Sequence, residues 1–163
     1  SRFKEGLAFL TVNPFNDREL WVNDSRGSFY RSTDGGENWE DLTAGLRKFQ
    51  GALEVGAVVF ESRGVILYHG SRHGLLRSFD GGRSWERIQL PLAPEALPIS
   101  ALGIDPSNSR KLLAGARNQV YVSLDGGESW KALQIPAAGA VSAILFDPKN
   151  PKNIFIGFRA ASR

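Results

Sequence analysis

Short apolar segments recur in pairs along this chain, with polar turns between them. The first member of each pair covers Leu7–Val12, Ala57–Phe60, Ala101–Ile104 and Val141–Phe146. The second covers Leu20–Val22, Val65–Tyr68, Lys111–Ala114 and Ile154–Ile156. Runs of this length bounded by turn residues predict β-strands. Asn13-Pro14, Asp105-Pro106 and Asp147-Pro148 supply turns between the members of a pair. A third strand, ending on a serine, and a fourth, starting at a tryptophan, complete each unit. The fourth alternates apolar and polar residues, as in Trp130-Lys131-Ala132-Leu133. The pattern predicts four strands per unit, a to d, with no helix. Strand a is the most apolar and is expected innermost.

Between strands c and d the same string returns three times. Ser32-Thr-Asp34-Gly35-Gly36-Glu-Asn-Trp39 recurs as Ser78-Phe-Asp80-Gly81-Gly82-Arg-Ser-Trp85 and as Ser123-Leu-Asp125-Gly126-Gly127-Glu-Ser-Trp130. Its intervals of 46 and 45 residues match the period of a four-stranded propeller blade. The expected fold is all-β: a β-propeller of antiparallel blades at about 3–45, 54–92 and 99–136, with half a blade at 140–163. Closed propellers use about four to eight blades, so these 163 residues are expected to form an open or partial ring. Unpaired strand edges invite pairing, so a protein partner or another copy is expected to close that ring.

The string S-x-D-G-G-x-x-W resembles the Asp-box, or BNR repeat, found in sialidases, xyloglucan-type glycoside hydrolases, sortilin-like receptor domains and the propeller factors that assist photosystem II assembly. Its chemistry is that of a turn. Glycine takes positive φ at no steric cost, and the Asp carboxylate accepts N–H groups just downstream. Three aspartates and three tryptophans suggest catalytic acids and sugar-stacking platforms. Three equivalent sites on separate blades cannot converge on one substrate, so a structural role is preferred. The resemblance implies that these turns lie on the face opposite the ligand site.

The b–c and d–a connections then form the other, upper face. Six residues before each motif serine stands an arginine: Arg26, Arg72 and Arg117. Matching Gly157 to Gly70 and Gly115 puts Arg159 at the same place in the fourth unit. Arginine offers a fixed fork of donors to carboxylate or phosphate. An arc of four arginines is therefore expected on the upper face, joined at the second blade by His73, and by His69 and the end of Arg63 or Arg77. The bland alternative pairs each arginine with a neighbouring acid. The connections Thr43–Leu53 and Gln89–Pro98 are read as irregular, the second stiffened by Pro91, Pro94 and Pro98.

Composition narrows the function. With 42% hydrophobic and 23% charged residues the chain is globular, and its apolar runs are too short to span a bilayer as helices. Absence of cysteine excludes disulfides and thiolate sites, and no metal or other cofactor is called for. The net charge of +3 is scattered, which disfavours nucleic acid. The chain starts at Ser1 and lacks methionine, so its true start is expected elsewhere. Upper-face acids available for catalysis are Glu5, Asp24, Glu54 and Glu95. None has a recognisable catalytic context, and the sialidase Arg-Ile-Pro signature is absent. The expected function is a non-catalytic binding or assembly module that docks an acidic protein surface or anionic ligand through the arginine arc. The alternative is a fragment of a secreted glycoside hydrolase, sialidase- or xyloglucanase-like, with catalytic residues outside this chain. The resemblance implies an extracytoplasmic setting.

Overall fold

The computed structural model describes residues 6–13, 15–61, 66–93, 96–136 and 139–160. The first sheet contains β1 (Leu7–Asn13), β2 (Asn16–Asp24), β3 (Phe29–Ser32) and β4 (Glu40–Asp41), followed by α1 (Thr43–Arg47). The second contains β5 (Val55–Phe60), β6 (Leu67–Ser71), β7 (Gly74–Ser78) and β8 (Glu86–Ile88). The third contains β9 (Ile99–Asp105), β10 (Asn108–Ala116), β11 (Gln119–Ser123) and β12 (Lys131–Gln134). A two-stranded sheet pairs β13 (Ala140–Phe146) with β14 (Ile154–Arg159). Each four-stranded sheet runs in chain order, every neighbouring pair antiparallel. The sheets are propeller blades, and their ring is not closed.

Strand c ends on the motif serine in all three complete blades, at Ser32, Ser78 and Ser123. Strands a of successive blades adjoin, β5 against β9 and β9 against β13, as innermost strands must. Blades pack face to face through apolar side chains. Leu67 and Leu76 face the first blade with Trp21 and Phe29, whereas Tyr68 and Leu75 face the third with Ile99 and Tyr121. Ala101, Leu113 and Val120 meet Val141, Ile144 and Phe146 at the last interface. Both faces of an interior blade are thus buried, which is why its strands read as continuous apolar runs. Each fully buried side chain of this size contributes roughly 1.5–3 kcal/mol. Glycine permits the close approach: a Cβ on Gly70 would sit 2.7 Å from Ile99, and one on Gly115 would sit 2.5 Å from Val141. The outer flanks are uncovered. Leu7, Leu10 and Val12 are exposed at one end, and the cross-strand neighbours Leu145 and Phe155 at the other.

Two local readings change. The connection at Thr43 holds a one-turn helix where no helix was expected. Leu42, Leu46 and Phe49 are spaced four and three apart and turn one face to the first interface, Leu46 being completely buried. So short a helix with Gly45 inside it leaves no clear periodic signal. Strand d begins one residue after the motif tryptophan, and the expected alternation in β12 gives no buried side, since all four of its residues are exposed. It lies at the outer edge of the sheet.

Candidate functional site

The two faces of the arc are built from different turns. On the Asp-box face, Ser32 Oγ donates to Asp34 Oδ1 at 2.8 Å and accepts the Gly36 N–H at 2.8 Å. The Asn38 N–H donates to Asp34 Oδ1 at 2.9 Å. Trp39 Nε1 then donates to the Gly36 carbonyl at 2.9 Å and closes the turn. The same bonds recur around Asp80 and Asp125. Gly35, Gly81 and Gly126 have φ of 79°, 73° and 80°, the left-handed region that glycine adopts freely. Donation by the Asn38 N–H and side chain, with the Ser32 hydroxyl, holds the Asp34 carboxyl down to about 2. Asp125 is held below the usual range by the Ser129 hydroxyl and N–H, then by Ser123. These carboxylates are occupied in holding turns, which matches their structural reading.

The same face carries a bridge that sequence reasoning missed. Trp21 and Arg31, opposite each other on β2 and β3, reach the next blade's turn, where Trp21 Nε1 donates to the Gly81 carbonyl at 3.0 Å. Arg31 also pairs with Glu19. One blade on, Tyr68 and Arg77 hold the equivalent places, and both donate to the Gly126 carbonyl, at 3.2 and 3.1 Å. Arg77 also pairs with Glu86 and Glu128. Arg77 therefore belongs to the Asp-box face, not to the upper arc. In the third blade Leu113 and Val122 stand at these positions and pack against the last interface. The signal available in sequence was an aromatic residue on strand b with an arginine directly before the motif serine.

On the opposite face, Arg26, Arg72 and Arg117 occupy the b–c connections of three successive blades. Arg159 ends β14, the corresponding strand of the fourth sheet. All four are exposed. The Arg26 N–H donates to Asp24 Oδ1 at 2.9 Å, and the Ser28 N–H donates to the same oxygen at 2.8 Å. Asp24 is thus a buried residue that holds the b–c turn. Arg72 lies 3.3 Å from Glu54, both well exposed, so this pair carries little energy and leaves the guanidinium in solvent. Arg117 has φ of 50°, an uncommon conformation for a non-glycine residue, and its carbonyl accepts the Val141 N–H from the next blade.

His73 follows Arg72, its Nδ1 2.9 Å from the Gln50 carbonyl and its ring 5.2 Å from Phe49. His69 is not on this face at all. It is completely buried between Phe29 and Trp85, with ring centroids at 6.2 and 5.5 Å, and burial pushes it down to about 4. Glu5, Arg63, Pro94 and Glu95 lie outside the described residues. Among the described residues, no helix is long and apolar enough to cross a membrane. Nor do three or more His, Cys, Asp or Glu residues gather there in a way that could hold a metal.

A family model described as Sortilin-Vps10 (sortilin, neurotensin receptor 3) matches residues 27–141. No match is found among curated proteins. Among solved structures the chain is similar to an ancestral GH74 enzyme, with 20% identity, TM-score 0.75, and 94% of this chain covered against 22% of that one. It is also similar to YCF48 from Cyanidioschyzon merolae, with 22% identity, TM-score 0.62, and 100% of this chain covered against 59% of that one. YCF48 bound to D1 peptide is similar at 16% identity and TM-score 0.56, with 82% and 41% covered. At such identities the likeness is one of fold. The chain spans about a fifth of the GH74 enzyme and about three-fifths of YCF48.

Proposed function

The chain belongs to the Sortilin-Vps10 family, and from that premise we propose that it is a non-catalytic binding or assembly module. It docks an acidic protein surface or an anionic ligand through Arg26, Arg72, Arg117 and Arg159, with His73 beside them. The observation that carries this reading is the recurrence of an exposed arginine at one end of four successive sheets. The Asp-box turns need no such residue. Exposed guanidinium groups on a single face raise the local concentration of anions and orient carboxylates by paired N–H donors. Similarity to a propeller solved with a bound peptide supports a protein partner. The uncovered flanks at Leu10 and Leu145 suit closure by further blades, a partner or another copy. An extracytoplasmic setting goes with this reading.

The test is fluorescence anisotropy of labelled decaglutamate with the intact protein, against decalysine as the control. Decaglutamate is expected to bind, and more weakly as salt rises. Glu at all four arginine positions is expected to weaken binding by about a hundredfold or more. Unchanged affinity in a variant with an unchanged melting transition would refute the arc. The second reading, part of a glycoside hydrolase, is favoured by the superposition on the GH74 enzyme. Hydrolysis of a glycoside panel by the intact protein would establish it.

A further inference from the structure

Every complete blade has a notch on its upper rim between the start of strand c and the end of strand d. In the first blade the chain fills it. The Leu42 N–H donates to the Phe29 carbonyl at 2.8 Å, Thr43 Oγ1 accepts the Phe29 N–H at 2.9 Å, and Leu46 seals the space. In the third blade the notch is wider and more open, edged by Asn118, Gln119, Gln134, Ile135 and Pro136. The second blade differs. There the notch is a narrower cleft of about 130 Å³, with an apolar wall of Leu75, Ile88, Leu92 and Leu97 and a polar side of His73, Arg87 and Gln89. A volume of that order accepts a benzene-sized group.

His73 adds a polar contact of defined sense. A carbonyl oxygen only accepts, so the contact with Gln50 requires the proton on Nδ1. Nε2 is buried and has no hydrogen-bond partner among the described residues. Arg72 and Arg87 stand exposed nearby, Arg87 at the cleft itself. An apolar wall beside two exposed cations suits an acidic segment of polypeptide that carries an apolar side chain.

We propose that the second-blade cleft is the specificity pocket for an acidic peptide. The peptide inserts one large apolar side chain among Leu75, Ile88 and Leu97, and its carboxylates meet Arg72 and Arg87 beside the cleft. The proposal rests on the anion-binding reading of the upper face. It adds what that reading lacks, which is selection of one acidic partner over another. The first blade shows the same kind of occupancy within the chain, with Leu46 as the inserted side chain and Thr43 as the polar clasp.

The test uses four labelled peptides, rich in Asp and Glu and identical except for a central Leu, Phe, Ala or Ser, with the intact protein. Affinity is read by anisotropy. The ring resonances of His73, assigned by their loss in His73→Gln, are followed by nuclear magnetic resonance. The Leu or Phe peptide is expected to bind at least about tenfold tighter than the Ala and Ser peptides. It is also expected to shift the His73 ring signals while those of buried His69 stay fixed. Equal affinity for all four peptides, lost on reversing the arginines, would overturn the cleft and leave the arc standing. Preference for Leu or Phe that survives arginine reversal would support the cleft and overturn the arc. No binding of any peptide would overturn both.

Discussion

Acidification from pH 7 to pH 4 is expected to destabilise this propeller through one side chain, His69. It sits on β6 opposite Val58 and Leu76 and is flanked by Phe29 and Trp85, so everything facing it is apolar. Neither ring nitrogen has a partner among the described residues. Burial lowers the ring from its ordinary value of 6.5 to about 4. The unfolded chain therefore binds a proton below pH 6.5 that the folded chain refuses until about pH 4. Stability is full above pH 6.5 and falls through that window by about 1.4 kcal/mol per pH unit, or roughly 3 kcal/mol in all. The aspartates act later: Asp34, held at about 2, loses its contribution only below the ordinary carboxylate range. His69→Leu removes the titration and keeps the volume. Urea unfolding followed by tryptophan fluorescence at pH 7, 6, 5 and 4.5 is expected to show a falling midpoint for the natural chain and a nearly level one for the variant. At pH 7 the variant is expected to be no less stable, because two unpaired buried nitrogens are gone. An equal fall in both proteins would refute the reasoning.

Five further outcomes follow from the blade contacts, each read by urea unfolding at pH 7. Ser78→Ala leaves the buried Gly82 N–H without its acceptor and is expected to cost about 1–3 kcal/mol. Gly126→Ala is expected to cost about 1 kcal/mol for its φ of 80°, with open space around the new methyl. Gly81→Ala carries the same backbone cost and drives its methyl to 2.5 Å from Arg31, so it is expected to lose more; equal losses would sink the bridge between blades. Arg77→Met is expected to cost about 1–2 kcal/mol through the Gly126 carbonyl. Arg83→Met, which removes exposed bonds to Glu40 and to the Asp80 carbonyl, is expected to cost less than Arg77→Met.

Blade number, strand order and the c–d turns were legible in the chain because each depends on local chemistry. The Asp-Gly-Gly string dictates its own turn through bonds spanning two to four residues, and strand c ends on its serine as expected. Arg26, Arg72 and Arg117 fall in b–c connections and Arg159 ends β14, although the first connection (25–28) is longer than the two-residue connections of the second and third blades. Local sequence could not say which face of an interior strand meets which neighbour. Period-two patterning vanishes when both faces are buried, so His69 and Arg77 were assigned to the wrong surroundings. The Trp21–Gly81 bond joins residues 60 apart, and the Tyr68–Gly126 bond joins residues 58 apart. Helix α1 exists because the first interface has room for Leu46, whereas Leu90, Leu92 and Leu97 of the second connection pack against the next interface and line the cleft. The sequence by itself determined the blades; only their packing against one another decided which side chains became buried partners, bridges or binding surface.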